Sequence, residues 1–213
     1  MLATLPVLSL AETRVLGTLI EKQRTVPDTY PLSVNALASG CNQKTSRHPV
    51  LELSEADLLQ AIDTLRELGL VYEMSGGRVA RFAHKIEHTL GIPTQASALL
   101  CVLLLRGPQT AGELRLNCER LHKFADISSV EAFLAELAER SPALVVELPR
   151  LPGSRENRWA HLLSGEPAIE AVPSRAIAAP ASQELDELRS RVSTLEAELE
   201  ELRNLLLEHL TAS

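Results

Sequence analysis

The chain has 213 residues, a formal net charge of −7, 45% apolar residues and only 3% aromatics. That length allows one or two domains with cores of Leu, Val, Ile and Ala, and the scarcity of rings argues against base-stacking platforms. The acidity is uneven: residues 1–92 hold 9 Lys/Arg against 10 Asp/Glu, residues 93–165 hold 8 against 8, and residues 166–213 hold 4 against 10. The front of the chain therefore neither advertises nor excludes nucleic acid.

Ser9-Leu10-Ala11-Glu12 has the Ser-x-x-Glu form of a helix start, and Val15, Leu16, Leu19 and Ile20 follow on one helical face. Pro27 and Pro31 mark a loop, and a short helix is predicted over about residues 33–40. Ser54-Glu55-Ala56-Asp57 opens a third helix with the stripe Leu58, Ile62, Leu65 and Leu68, which Gly69 ends. Residues 70–74 and 78–84 then read as two strands around Ser75-Gly76-Gly77.

This plan recurs. Leu70-Val71-Tyr72-Glu73 returns as Leu144-Val145-Val146-Glu147, and Arg81-Phe82-Ala83-His84 returns as Arg158-Trp159-Ala160-His161. The second copy is predicted to have a helix over about residues 94–105, a helix capped by Thr110 and a helix capped at Ser128-Ser129-Val130-Glu131. Its hairpin takes residues 145–148 and 158–162. Three helices and a hairpin, with a helix-turn-helix inside, form the winged-helix plan. The expected fold is thus α+β and mainly helical: winged-helix domain 1 over residues 1–92 and winged-helix domain 2 over residues 93–165.

The remainder is a separate device. Residues 166–182 have the Pro/Ala composition of a linker, and residues 183–213 carry a heptad pattern. Its a and d positions are Leu185, Leu188, Val192, Leu195, Leu199, Leu202, Leu206 and His209. In a parallel dimer the pairs Glu184–Arg189, Arg191–Glu196 and Glu198–Arg203 all have opposite signs, so self-association of this coiled-coil helix into a homodimer is expected.

The stretch Glu21-Lys22…Pro27-Asp28-Thr29-Tyr30-Pro31-Leu32-Ser33-Val34-Asn35-Ala36-Leu37, then Cys41-Asn42-Gln43-Lys44-Thr45…Arg47-His48-Pro49, resembles the YceH family. So does the closing Ala160-His161-Leu162-Leu163-Ser164-Gly165. The resemblance spans about residues 9–165 and implies a bacterial protein with tandem winged helices and no established activity. It brings no catalytic residues. His48 departs from the Asp that the family commonly places before this proline, which makes the loop slightly more basic.

For a winged-helix protein, double-stranded DNA is the leading expected partner, in the manner of a transcription regulator. Candidate phosphate contacts are Lys44, Arg47 and His48 in the loop before the third helix, Arg78 and Arg81 on the first wing, and Arg150, Arg155 and Arg158 on the second. Against this, the third helices begin with Glu55 and Asp57 in copy one and include Glu131 in copy two. The alternative is a protein-interaction adaptor with Tyr30, Asn35, Asn42 and Gln43 as a partner patch. No enzyme, cofactor or metal is expected. His84 and His88 lack companions for a zinc site, and Cys41 near His48 lacks a placed base. The odd trio Cys41, Cys101 and Cys118 suggests reduced thiols in a cytoplasmic protein. The longest apolar run, residues 98–105, is too short for a membrane span.

Overall fold

The computed structural model describes residues 7–74, 79–150, 153–167 and the single residue 191. Arg78 and the heptad positions Leu185, Leu188, Val192, Leu195, Leu199, Leu202 and Leu206 lie outside the described residues, as does most of the linker.

The described chain is α+β, with seven α-helices and two small antiparallel sheets. Helix α1 spans Leu10–Thr25 and begins as its sequence predicts. Ser9 caps it with a reciprocal Glu12 contact, Ser9 N–H donating to Glu12 Oε2 at 2.8 Å. A 3-10 turn at Pro27–Thr29 leads to the two-residue strand β1 (Leu32–Ser33), helix α2 (Val34–Cys41) and, after a loop, helix α3 (Glu55–Glu67). Ser54 and Asp57 cap α3 reciprocally. At its end Gly69 takes φ +67°, its N–H reaching Arg66 O while Leu70 N–H reaches Leu65 O. Those two bonds satisfy the last carbonyls, and only a residue without a Cβ adopts that backbone without strain. Strands β2 (Val71–Met74) and β3 (Arg81–His84) close the first unit.

A five-residue helix, α4 (Ile86–Leu90), joins this unit to helix α5 (Thr94–Arg106). The sequence reading did not anticipate α4, β1 or β4. The second unit continues with β4 (Gln109–Thr110), α6 (Ala111–Asn117), α7 (Ile127–Glu139), β5 (Val145–Leu148) and β6 (Arg158–His161). The expected cap of α7 at Ser128 is corrected. The helix starts after Asp126, whose carboxylate accepts the Ser129 N–H at 2.7 Å. A carboxylate is a strong acceptor for the free N–H groups of a first turn, so Asp126 takes the capping position two residues earlier.

The two units have the same topology. Their sheets run β1-β3-β2 and β4-β6-β5, with Leu32 facing Phe82 where Gln109 faces Trp159, and Val71 facing His84 where Val145 faces His161. They share one hydrophobic cluster. The reason lies in α5, whose residues from Ala96 through Leu105 are all buried. A helix apolar around its circumference needs cover on every side. It packs on α1 of the first unit and on α6, α7 and β6 of the second. Gly17 of α1 permits the closest approach, since a Cβ there would lie 2.9 Å from Leu105 Cδ2. No helix among the described residues is long and apolar enough to cross a membrane.

Candidate interaction surfaces

The loop between α2 and α3, residues 42–53, is fastened from several directions. Asn42 and Leu53 exchange two hydrogen bonds, Nδ2 to Leu53 O at 3.0 Å and Leu53 N–H to Oδ1 at 2.9 Å. Arg47 is buried, and its guanidinium grips both Glu21 oxygens at 3.1 and 2.7 Å and the Gly40 carbonyl at 2.9 Å. Arg14, only 1% exposed, donates to Cys41 O at 3.0 Å and to Pro49 O. His48 N–H donates to Leu105 O at 2.8 Å, and Arg106 donates to Ser46 Oγ at 2.8 Å.

The candidate phosphate contacts therefore divide. Lys44 and His48 are exposed on the loop. Arg47 is corrected: it faces inward, because a buried guanidinium finds a bidentate carboxylate partner in Glu21. Burial tends to raise the Glu21 carboxyl, but hydrogen bonds and charge from Arg47, then Lys22, outweigh it and hold the group below its ordinary value. Arg81 is exposed, yet donates to Pro31 O at 2.7 Å. On the second hairpin Arg150 and Arg155 are exposed, and Arg158 is half-buried. Arg150 leans on Asn157 Oδ1 at 3.3 Å.

The candidate partner residues do not form one patch. Asn35 is exposed on α2, whereas Asn42 is spent on the loop staple and Gln43 accepts from Lys22 Nζ at 3.5 Å. Tyr30 is half-buried, and its hydroxyl accepts the His84 N–H at 2.8 Å. It fixes the β1 approach to the sheet rather than standing out as an anchor.

Sequence reasoning missed a polar cluster at the junction of the two units. Arg24 of α1 meets Glu87 of α4 at 3.2 Å and the Thr94 carbonyl at 2.8 Å. Ser97 donates to the same Glu87 at 2.6 Å, and His84 Nε2 lies 2.9 Å from Gln23 Oε1. The only advance signal was that His84 and His161 recur at matching positions.

The third helices present acid to solvent. On α3 the exposed ionisable residues are Glu55, Asp57, Asp63, Arg66 and Glu67, and Arg66 is already shared between Asp63 and Glu73. On α7 they are Glu131, Glu136 and Glu139. Large apolar side chains stand exposed on or beside these helices: Leu59, Ile127 and Leu116. Chemically reactive groups point the other way, since Cys41, Cys101 and Cys118 are all buried free thiols.

The family model described as "Protein of unknown function, DUF480" matches residues 8–154. The chain belongs to the DUF480 family. This agrees with the resemblance read from the Tyr30-Pro31 and Cys41-Asn42 segments. Within the DUF480 segment, several residues that carried the resemblance prove to be fasteners of the 42–53 loop: Glu21, Asn42, Arg47 and Pro49. The chain is 72% identical over 204 residues to a UPF0502 protein of Dechloromonas aromatica, covering 95% of this chain and 96% of that protein. It is 59% identical over 207 residues to a UPF0502 protein of Cupriavidus taiwanensis, covering 94% and 84%. A UPF0502 protein of Burkholderia pseudomallei is 60% identical over 198 residues, covering 92% and 84%. A matched length of 204 residues takes in most of the heptad segment, so the likeness runs further than the expected residues 9–165.

Proposed function

We propose that the chain is a non-enzymatic protein-interaction adaptor built from two winged-helix modules in tandem. The module reading rests on the repeated order of helix, short strand, two helices and hairpin, and on the identical strand orders of the two sheets. In such modules the third helix is the usual reading element, so its surface chemistry decides the partner.

The observation that carries the adaptor reading is the acidity of α3 and α7. A helix entering a major groove passes between phosphate rows, where carboxylates such as Glu55, Asp57, Glu131 and Glu136 are repelled. Acid with exposed Leu59 and Ile127 suits a protein surface that offers cations around an apolar contact. The thiols support the non-enzymatic part and a reducing, cytoplasmic setting. Burial raises Cys41 to about 11 and Cys118 to about 12, away from the thiolate a nucleophile requires.

Duplex DNA is the second reading, favoured by the exposed Lys44, Arg81, Arg150 and Arg155. The heptads at Leu185 through Leu206 would join two copies and multiply either kind of contact. Sedimentation of the full chain against its Leu195→Asp variant tests that part, and equal masses remove it.

A photoreactive benzoylphenylalanine in place of Leu59, and separately of Ile127, distinguishes the partners in living cells. Protein adducts at both positions support the adaptor. Adducts to DNA, together with duplex binding in vitro that falls steeply with salt and with Lys44→Ala/Arg150→Ala, overturn it.

A further inference from the structure

Charge is segregated along the front of the chain, and one place collects cations with too few carboxylates to balance them. Of the helices beside the 42–53 loop, α2 has no charged residue and the only charge on α5 is Arg106, while α3, which follows the loop, carries the acid. Glu21 already holds both Arg47 and Lys22, the latter at 3.1 Å. Lys44 and Arg106 make no ion pair among the described residues. Beneath the loop sits Arg14, 1% exposed, whose hydrogen-bond acceptors among the described residues are the Cys41 and Pro49 carbonyls rather than a carboxylate, and whose Nε has no partner among them. A buried cation without a counter-ion keeps a positive potential on the surface above it.

The backbone is turned to match. Carbonyls that would repel an anion are drawn inward: Gly40 O and Ser46 O by Arg47, Cys41 O and Pro49 O by Arg14. Among the described residues no hydrogen-bond acceptor is found for the N–H groups of Lys44, Thr45 and Ser46. Ser46 has φ +59°, the left-handed backbone that is one half of the αR–αL pair found in anion-binding concavities. Arg106 lies against this turn through Ser46 Oγ, and because Ser46 accepts that bond, its own hydroxyl hydrogen is free to donate.

We propose that the Lys44–Ser46 turn, with Arg106, binds a compact phosphoryl group carried by a small ligand. A compact ligand is favoured because acid follows the turn along the chain: Glu52, Glu55 and Asp57 are all exposed. A polyanion that continued from the turn onto the start of α3 would meet like charge at Glu55 and Asp57, a cost that a ligand confined to the turn avoids.

The test is calorimetric titration of the full chain with pyrophosphate at constant ionic strength. Wild type is expected to bind saturably, Lys44→Gln/Arg106→Gln to bind at least ten-fold more weakly, and Arg120→Gln, on an exposed cation of the second unit, to bind as wild type does. If the double variant loses its circular-dichroism signature, Lys44→Gln alone is read, with a several-fold loss expected from an exposed side chain. The proposal falls if wild type shows no saturable binding at millimolar pyrophosphate, or if Arg120→Gln weakens binding as much as the loop variants do. It also falls if a 20-base-pair duplex binds through Lys44 and Arg106 more tightly than pyrophosphate.

Discussion

His84 and His161 occupy the same position in two sheets: each ends the central strand and faces the first residue of the outer strand, Val71 or Val145. Each has an Nδ1 without a hydrogen-bond partner among the described residues. Desolvation lowers both to about 4, with Glu87 opposing and Arg24 assisting at His84. The unfolded chain, with His near its ordinary value of about 6.5, then binds protons before the folded one does. Stability is therefore full above about pH 6.5 and declines as pH falls toward 4, by up to about 1.4 kcal/mol per pH unit for each histidine. Urea midpoints measured from pH 7 to pH 4 should show that slope. His84→Gln/His161→Gln should flatten it, and an unchanged slope would assign the acid sensitivity elsewhere.

The repetition behind this pair was legible in the sequence because hairpin residues and helix caps are local. Ser9-x-x-Glu12, Ser54-x-x-Asp57 and Thr110-x-x-Glu113 each satisfy a helix start with residues three apart, and all three do so in the structure. Asp126-x-x-Ser129 reverses the usual order of the pair and was read two residues late. Helix α4 was missed because five residues cannot hold a helix by propensity; Ile86 and Leu90 hold it by burial. Arg47 reads as a surface cation, and Arg14 carries no signal at all, since nothing near them in sequence indicates that Glu21 or the carbonyls of Cys41 and Pro49 would enclose them. Contacts spanning 26 to 35 residues are set by packing, not by local pattern. For the same reason Asn42 and Arg47, which staple the loop, look in the sequence like exposed contacts.

Arg47→Ala should be among the more damaging single changes. It leaves Glu21 with Lys22 alone, uncovers the Gly40 carbonyl and empties a buried site. Breaking a buried pair by removing one partner costs on the order of 3 kcal/mol. Glu21→Gln should cost less, because Arg47 keeps its carbonyl partners. Chemical denaturation would rank them, and the reverse order would show that Glu21 rather than Arg47 fastens the loop.

Asn42→Ala removes both bonds to Leu53 and should destabilise by about 1–2 kcal/mol. Its sharper readout is local. Limited proteolysis should move to residues 42–53 while the helices stay protected. Cleavage unchanged from wild type would mean that Arg14 and Arg47 hold the loop without it.

Gly17→Ala separates helix propensity from packing. In a free helix the change gains about 1 kcal/mol. Here the new methyl would sit 2.9 Å from both Leu105 Cγ and Cδ2 and 3.3 Å from Leu104 Cβ, where α1 of one unit meets α5 of the other. Those are side-chain atoms buried in the shared core, with no open space to yield into, and overpacking of this kind costs about 1–3 kcal/mol. The net effect should be a lower thermal midpoint. The α1–α5 contact also joins the two units into one core, so the transition should stay single in wild type and broaden or split in the variant as the units begin to melt independently. A higher midpoint with an unchanged single transition would show that α1 and α5 accommodate the methyl without loosening the shared core, and that helix propensity decides the outcome.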